Sequence, residues 1–270
     1  MIHPSLDDLV SIAIEAGAAI LPFYDPAGTT ARAKEDGSPV TAADEAAEAI
    51  ILKRLAQKGI TAVIAEESVA AGRIPDVAEE FYLVDPLDGT KEFVTGSGEF
   101  TVNIARISNG RPVAGVVLAP ALGLLYAGDE TGAWKATLVD GAVTGKTAIA
   151  VATPSGPLRV VASKSHLTDE TKAFIDRFDV ESFVSSGSSL KFCRLAEGEA
   201  DLYPRLGRTM EWDTAAGHAV LSAAGGSVSN MDGTPFLYGK ADHPSGAYAN
   251  PYFIAAAAFD PFAVVAPAAS

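Results

Sequence analysis

Apolar residues recur at helical spacing over residues 5–24, at Leu6, Leu9, Val10, Ala13, Ile14, Gly17 and Ile20. Ser5, with Asp8 three residues on, is placed to cap that helix, and Pro22 closes it. A second helix is predicted over 42–58, with Thr41 as its cap, Glu45 and Glu48 early, and Gly59 as its stop. The short apolar runs 62–65 and 81–84 read as strands that deliver Glu66, Glu67 and Asp85 at their carboxyl ends. Runs 101–107 and 112–118 flank Asn109-Gly110, a hairpin signal, and 124–126 and 133–135 extend the sheet. The stretch 143–157 is rich in Thr, Gly, Ala and Pro with little periodicity, and is the expected domain boundary. It divides an α+β domain (1–150) from an α/β domain (151–270). Beyond it, strands at 159–162, 181–184 and 200–203 alternate with helices at 169–177, 189–197 and 213–224. That alternation predicts a layered α/β fold.

The 270 residues can bury a large core without staples, and the single cysteine, Cys193, excludes an intrachain disulfide. The amino terminus lacks a basic leader pattern. The longest greasy run, 113–125, is broken by Gly115, Pro120 and Gly123, so no transmembrane segment is expected. These features fit a cytoplasmic protein. The net charge of −14 repels nucleic acid polymers and anionic lipid. It would repel a small phosphorylated substrate too, unless cations neutralise the site.

The chemistry concentrates in Val84-Asp85-Pro86-Leu87-Asp88-Gly89-Thr90-Lys91. Two carboxylates on a stiff turn suit a hard divalent cation such as Mg²⁺. Backbone N–H groups after the glycine suit a phosphate oxyanion. With Glu66 at one strand end and Asp213 at a distant helix start, four carboxylates converge from separate elements, as a multi-metal oxygen site requires. The Leu87 carbonyl is a further candidate ligand, and a Thr90–Asp44 pair could orient an attacking water. The bland alternatives are an Asp/Gly turn for the motif and a first-turn acid favoured by the helix dipole for Asp44. Two rival sites fail on spacing. The haloacid-dehalogenase pattern needs D-x-D-G-T, and an EF-hand needs D-x-D-x-D-G with a later glutamate. The four histidines are scattered away from the acidic motifs, which argues against a zinc cluster. Cys193 reads as a small core residue and His218 as structural, while Trp212 fits either packing or base stacking.

Three segments resemble the metal motifs of the inositol monophosphatase superfamily: Ala65-Glu66-Glu67-Ser68, Asp85-Pro86-Leu87-Asp88-Gly89-Thr90 and Trp212-Asp213-Thr214-Ala215-Ala216-Gly217. Within it, Asp88-Gly89-Thr90-Lys91-Glu92-Phe93, Gly187-Ser188-Ser189-Leu190-Lys191-Phe192 and Leu202-Tyr203-Pro204-Arg205 resemble the CysQ-type 3′(2′),5′-bisphosphate nucleotidases. The resemblance runs from about residue 5 to about residue 254. It implies an αβαβα sandwich of the sugar-phosphatase type, with roughly two or three Mg²⁺ ions. Glu66, Asp85, the Leu87 carbonyl, Asp88 and Asp213 resemble the metal ligands. Asp44 and Thr90 resemble the pair that activates water, and the N–H groups of Gly89 and Thr90 would hold the scissile phosphate.

The metal motifs do not choose among nucleotide, inositol and sugar phosphates. Residues 159–208, however, hold as many Lys and Arg as Asp and Glu, so all the excess acid lies elsewhere. A neutral region facing the metal site is where a second phosphate could dock. Lys164, His166, Ser188, Ser189, Lys191 and Arg205 resemble the nucleotide-binding positions. The implied reaction is Mg²⁺-dependent hydrolysis of adenosine 3′,5′-bisphosphate to AMP and phosphate, clearing a by-product of sulfate activation. The alternatives are an inositol or sugar phosphatase and a non-catalytic cation-binding module. The resemblance also leaves room for peripheral membrane association.

Overall fold

A computed structural model describes residues 3–27, 39–77, 79–162 and 168–263. Helix α1 (Leu6–Ile20) opens on a capping box: the Ser5 side chain accepts from the Asp8 N–H and the Asp8 carboxylate accepts from the Ser5 N–H. A 3₁₀ turn, Leu21–Phe23, follows. Helix α2 (Pro39–Gln57) starts before the expected residue, so Thr41 lies inside it rather than capping it. A proline suits a first-turn position because it has no N–H to leave unpaired.

Seven strands form the first sheet in chain order: β1 (Val63–Ala65), β2 (Glu80–Asp88), β3 (Thr101–Ser108), β4 (Arg111–Ala119), β5 (Leu124–Asp129), β6 (Gly132–Val139) and β7 (Ala142–Ile149). Only β1 and β2 run parallel. Short helices α3 (Glu66–Ala70) and α4 (Thr90–Val94) follow β1 and β2 directly. The first part of the expected boundary segment, residues 143–149, belongs to the edge strand β7, exposed on both faces. Without a buried face it has no apolar alternation to read.

The second sheet runs β11-β12-β10-β8-β9. Its strands are β8 (Leu158–Val161), β9 (Val180–Val184), β10 (Leu202–Arg205), β11 (Ser227–Asn230) and β12 (Phe253–Ala256). Between them fall α5 (Asp169–Ile175), α6 (Leu190–Ala196) and α7 (Glu211–Ala223).

Alternating side chains assign the layers. Val84, Val102, Ile104 and Val116 pack with α1 and α2, whereas Leu83, Ala105, Ile107 and Val117 pack with α6 and α7. In the second sheet Val161, Tyr203 and Phe253 join that same middle core, while Val160, Leu202 and Ile254 pack with α5. The result is the layered α/β sandwich, αβαβα. Helix α7 lies close on the first sheet because Gly115 has no side chain: a Cβ there would sit 2.6 Å from the Ala216 carbonyl oxygen.

One irregularity positions the acidic motif. The β2–β3 ladder pairs Asp85 with Asn103 and next Asp88 with Thr101, so β2 holds one extra residue there. Residues three apart in a regular strand face opposite sides; this bulge turns both carboxylates toward α7.

Candidate active site

The acidic groups meet where β1 and β2 end and α7 begins. Asp85 is 1% exposed, and its Oδ1 accepts the Leu87 N–H at 3.0 Å, which fixes the carboxylate against its own turn. Burial pushes its pKa well above the usual carboxylate range, and the charges of Glu66, Asp88, Asp213 and Asp44 push it further. Asp213, in the first turn of α7, accepts the Met210 N–H at 2.8 Å. Its pKa is raised to about 8, mainly by burial and then by Asp88 and Glu66. Asp88 is raised by burial, against the lowering pull of Lys191 and Ser189. Five carboxyl groups thus share one electrostatic neighbourhood. They are not drawn into a cage: among the described residues, no three His, Cys, Asp or Glu side chains form a ready-made metal cluster.

Asp44 is 3% exposed and lies beyond the first turn of α2, which has no acidic residue. A first-turn dipole therefore does not account for it. Helix α2 also packs against α4, whose first residue is Thr90. Leu87 buries its side chain in the α1/α2 core. Gly89 caps α4 with φ 97°, and a Cβ there would lie 2.0 Å from Ser188 Oγ, so only glycine fits.

The second half of the chain closes over this turn. Ser188 Oγ donates to the Asp88 carbonyl at 2.9 Å, and the Gly187 N–H donates to Glu99 at 3.0 Å. Ser189 Oγ lies 2.7 Å from the Asp213 carbonyl oxygen and 3.2 Å from Asp88 Oδ2, tying the two acidic elements together. A cleft of about 150 Å³ opens beside them, lined by Asp88, Gly89, Ser188, Lys191, Arg205 and Asp213. Lys191 donates to the Ser188 carbonyl at 3.0 Å, and burial lowers its pKa. Other cations of the neutral region are committed elsewhere: Arg159 to Asp201, and Arg194 to Glu197 and Glu199. Lys164 and His166 lie outside the described residues.

Sequence reasoning missed several groups here. Ser186, Tyr203 and Thr209 also line the cleft. Glu48, 3% exposed on α2, accepts the Glu67 N–H at 2.9 Å and the Ser68 hydroxyl at 2.6 Å. It clamps the start of α3, where Glu66 is the first residue. Its one legible signal is its place one helical turn after Asp44. Cys193 is fully buried, Trp212 packs near Tyr248, and His218 Nδ1 bonds the Tyr238 hydroxyl at 3.0 Å with its pKa lowered to about 3 by burial.

Residues 4–259 match the model of the inositol monophosphatase family. The chain belongs to that family. It is accordingly a phosphatase, and two curated family members resemble it over nearly their full length. The 3′(2′),5′-bisphosphate nucleotidase CysQ of Escherichia coli (strain K12) is 43% identical over 92% of this chain and 98% of its own. The protein of the same name from Salmonella typhimurium is 44% identical over the same shares. The crystal structure of CysQ from Bacteroides thetaiotaomicron, described as a bacterial member of the family, superposes with a TM-score of 0.79 at 39% identity, covering 94% of this chain and 97% of that one. An inositol monophosphatase from Zymomonas mobilis shares the family's fold (TM-score 0.73, 24% identity, 93% of this chain and 91% of that one). In the described residues no helix is long and apolar enough to cross a membrane.

Proposed function

We propose that this phosphatase removes one phosphate from adenosine 3′,5′-bisphosphate, giving AMP, with Mg²⁺ as its cofactor and the cytoplasm as its place of action. The observation that carries the reading is the pressure of Glu66, Asp88, Asp213 and Asp44 on buried Asp85. So much like charge around one buried carboxylate is costly alone and suits a divalent cation. The donor set is all oxygen, which fits Mg²⁺. Glu66, Asp85, Asp88, Asp213 and the Leu87 carbonyl would hold roughly two or three such ions. Bound there, the metal supplies charge neutralisation for the phosphate and acidity for water.

The chain's own groups do the rest. Thr90 orients the attacking water and relays its proton to Asp44; as the new P–O bond forms, the bond to ribose O3′ breaks, and that proton returns to O3′ as AMP leaves. The N–H groups of Gly89 and Thr90 bind the scissile phosphate. The hydrogen bonds of Ser188 and Ser189 hold the turn and α7 at fixed separation, so the ester meets a preformed geometry. Lys191 and Arg205, in the cleft beside Asp88, receive the second, unreacting phosphate, with Lys164 and His166 assigned to the same nucleotide. The names of the curated relatives support this substrate over an inositol ester.

The test is phosphate release from adenosine 3′,5′-bisphosphate, inositol 1-phosphate and fructose 1,6-bisphosphate, each with and without Mg²⁺. A preference for the inositol or sugar ester removes the substrate assignment. No Mg²⁺-dependent release from any of them removes the reading altogether.

A further inference from the structure

Two polar side chains of the first sheet stand where apolar ones would pack more cheaply. Thr101 and Asn103 on β3 are both 0% exposed. Among the described residues, neither Thr101 Oγ1 nor either polar atom of the Asn103 amide has a hydrogen-bond partner. Buried polar groups without partners are uncommon in folded proteins and destabilise them.

Their place in the ladder is specific. Asn103 lies directly opposite Asp85, and Thr101 directly opposite Asp88. Opposed residues of an antiparallel pair share a face, with Cβ atoms about 4.5–5.5 Å apart. Ala105 and Ile107, the alternate residues of β3, lie in the middle core, and Val102 and Ile104 lie in the other. The amide therefore stands on the α7 side, beside the carboxylate. Across the sheet Asn103 meets Val117, which offers its side chain no polar atom. The Leu87 N–H takes Asp85 Oδ1, which leaves Oδ2 for a second donor.

We infer that Asn103 is a positioning residue for Asp85: its Nδ2 donates to the Asp85 carboxylate when that carboxylate holds a divalent cation. This rests on the proposed function, in which Asp85 is a metal ligand. Ligating carboxylates need such outer hydrogen bonds to keep their orientation, and loss of one typically weakens metal binding about 10–100-fold.

The experiment is calorimetric Mg²⁺ binding by the full chain without substrate, with melting curves before and after the cation is added. Asn103→Leu keeps the branched four-atom shape and removes both polar atoms, adding the bulk of two methyl groups. Asn103→Asp keeps the shape and exchanges the donor for an acceptor. Without cation, Asn103→Leu should melt at or above the wild-type temperature, because an unpaired buried amide is gone. It should then bind Mg²⁺ at least about 10-fold more weakly, with a smaller cation-induced rise in melting temperature. Asn103→Asp should lose at least as much affinity. Mg²⁺ binding within about twofold of wild type in either variant, or a lowered melting temperature with intact affinity in Asn103→Leu, overturns the inference while leaving the proposed function standing. A wild-type chain that takes up no Mg²⁺ removes the proposed function and this inference with it.

Discussion

Glu48 offers the sharpest test of how the site is held. Replacing it with alanine strips both acceptors from the start of α3. The Ser68 hydroxyl is buried and the Glu67 N–H partly so. An unsatisfied buried donor costs about 1–3 kcal/mol, so two come to roughly 3 kcal/mol. Glu48→Gln should behave differently. The amide oxygen can accept the Glu67 N–H while the NH₂ donates to Ser68 Oγ, because a hydroxyl accepts as well as donates. Both links survive, one with its polarity reversed, and only the charge assistance is lost, about 1 kcal/mol. Urea unfolding without metal measures both values, as a midpoint shift at constant m. The alanine variant should also need more Mg²⁺ for half-maximal turnover, since Glu66 begins the helix that Glu48 secures. Equal losses in the two variants, or losses below about 0.5 kcal/mol in both, would show that the clamp does not hold the helix.

Other outcomes follow from the same geometry. Asp213 has a pKa raised to about 8 against about 4 in the unfolded chain; the folded state then binds more protons in that window, so metal-free stability should fall as pH rises from about 4 to about 8. Added Mg²⁺ should flatten that slope, and a level profile in chelator would count against the assignment. Asp88→Asn should cut turnover at least ~10²-fold while the metal-free melting temperature holds or rises; wild-type turnover would remove Asp88 from the site. Gly89→Ala should cost about 2 kcal/mol or more in urea, because its φ is 97° and the new Cβ strikes Ser188; a change under about 0.5 kcal/mol would mean the loop simply yields. Gly115→Ala, which forces α7 off the sheet against Ala216, should cost about 1–3 kcal/mol, seen as a lower urea midpoint, and should lower Mg²⁺-dependent turnover because α7 carries Asp213; unchanged turnover would mean that Asp213 keeps its place.

Much of the fold was legible because its signals are local. The Ser5–Asp8 cap sits where predicted, and Asn109-Gly110 makes its hairpin with φ 49° and 73°, both in the left-handed region. Strand β7 escaped because both its faces are wet, and α3, five residues long, is too short to show a period. Within the site, the motif residues were legible as chemistry, and the structure brings Asp85, Asp88, Asp213, Glu66 and Asp44 into mutual influence. Glu48 was read only as an early helix acid because its partners lie nineteen and twenty residues away. The buried condition of Asp44 depends on where α2 begins, a boundary that propensity locates poorly.

The extra residue in β2 has a consequence for how this protein can change. Substitutions around Pro86 alter chemistry or packing by degrees. A one-residue deletion between Asp85 and Asp88 would do something categorical: with the ladder made regular, one of the two acids would swing to the opposite surface of the sheet, into the greasy contact with the first two helices. The length of that segment should therefore resist drift more stubbornly than any side chain in it except the acids themselves.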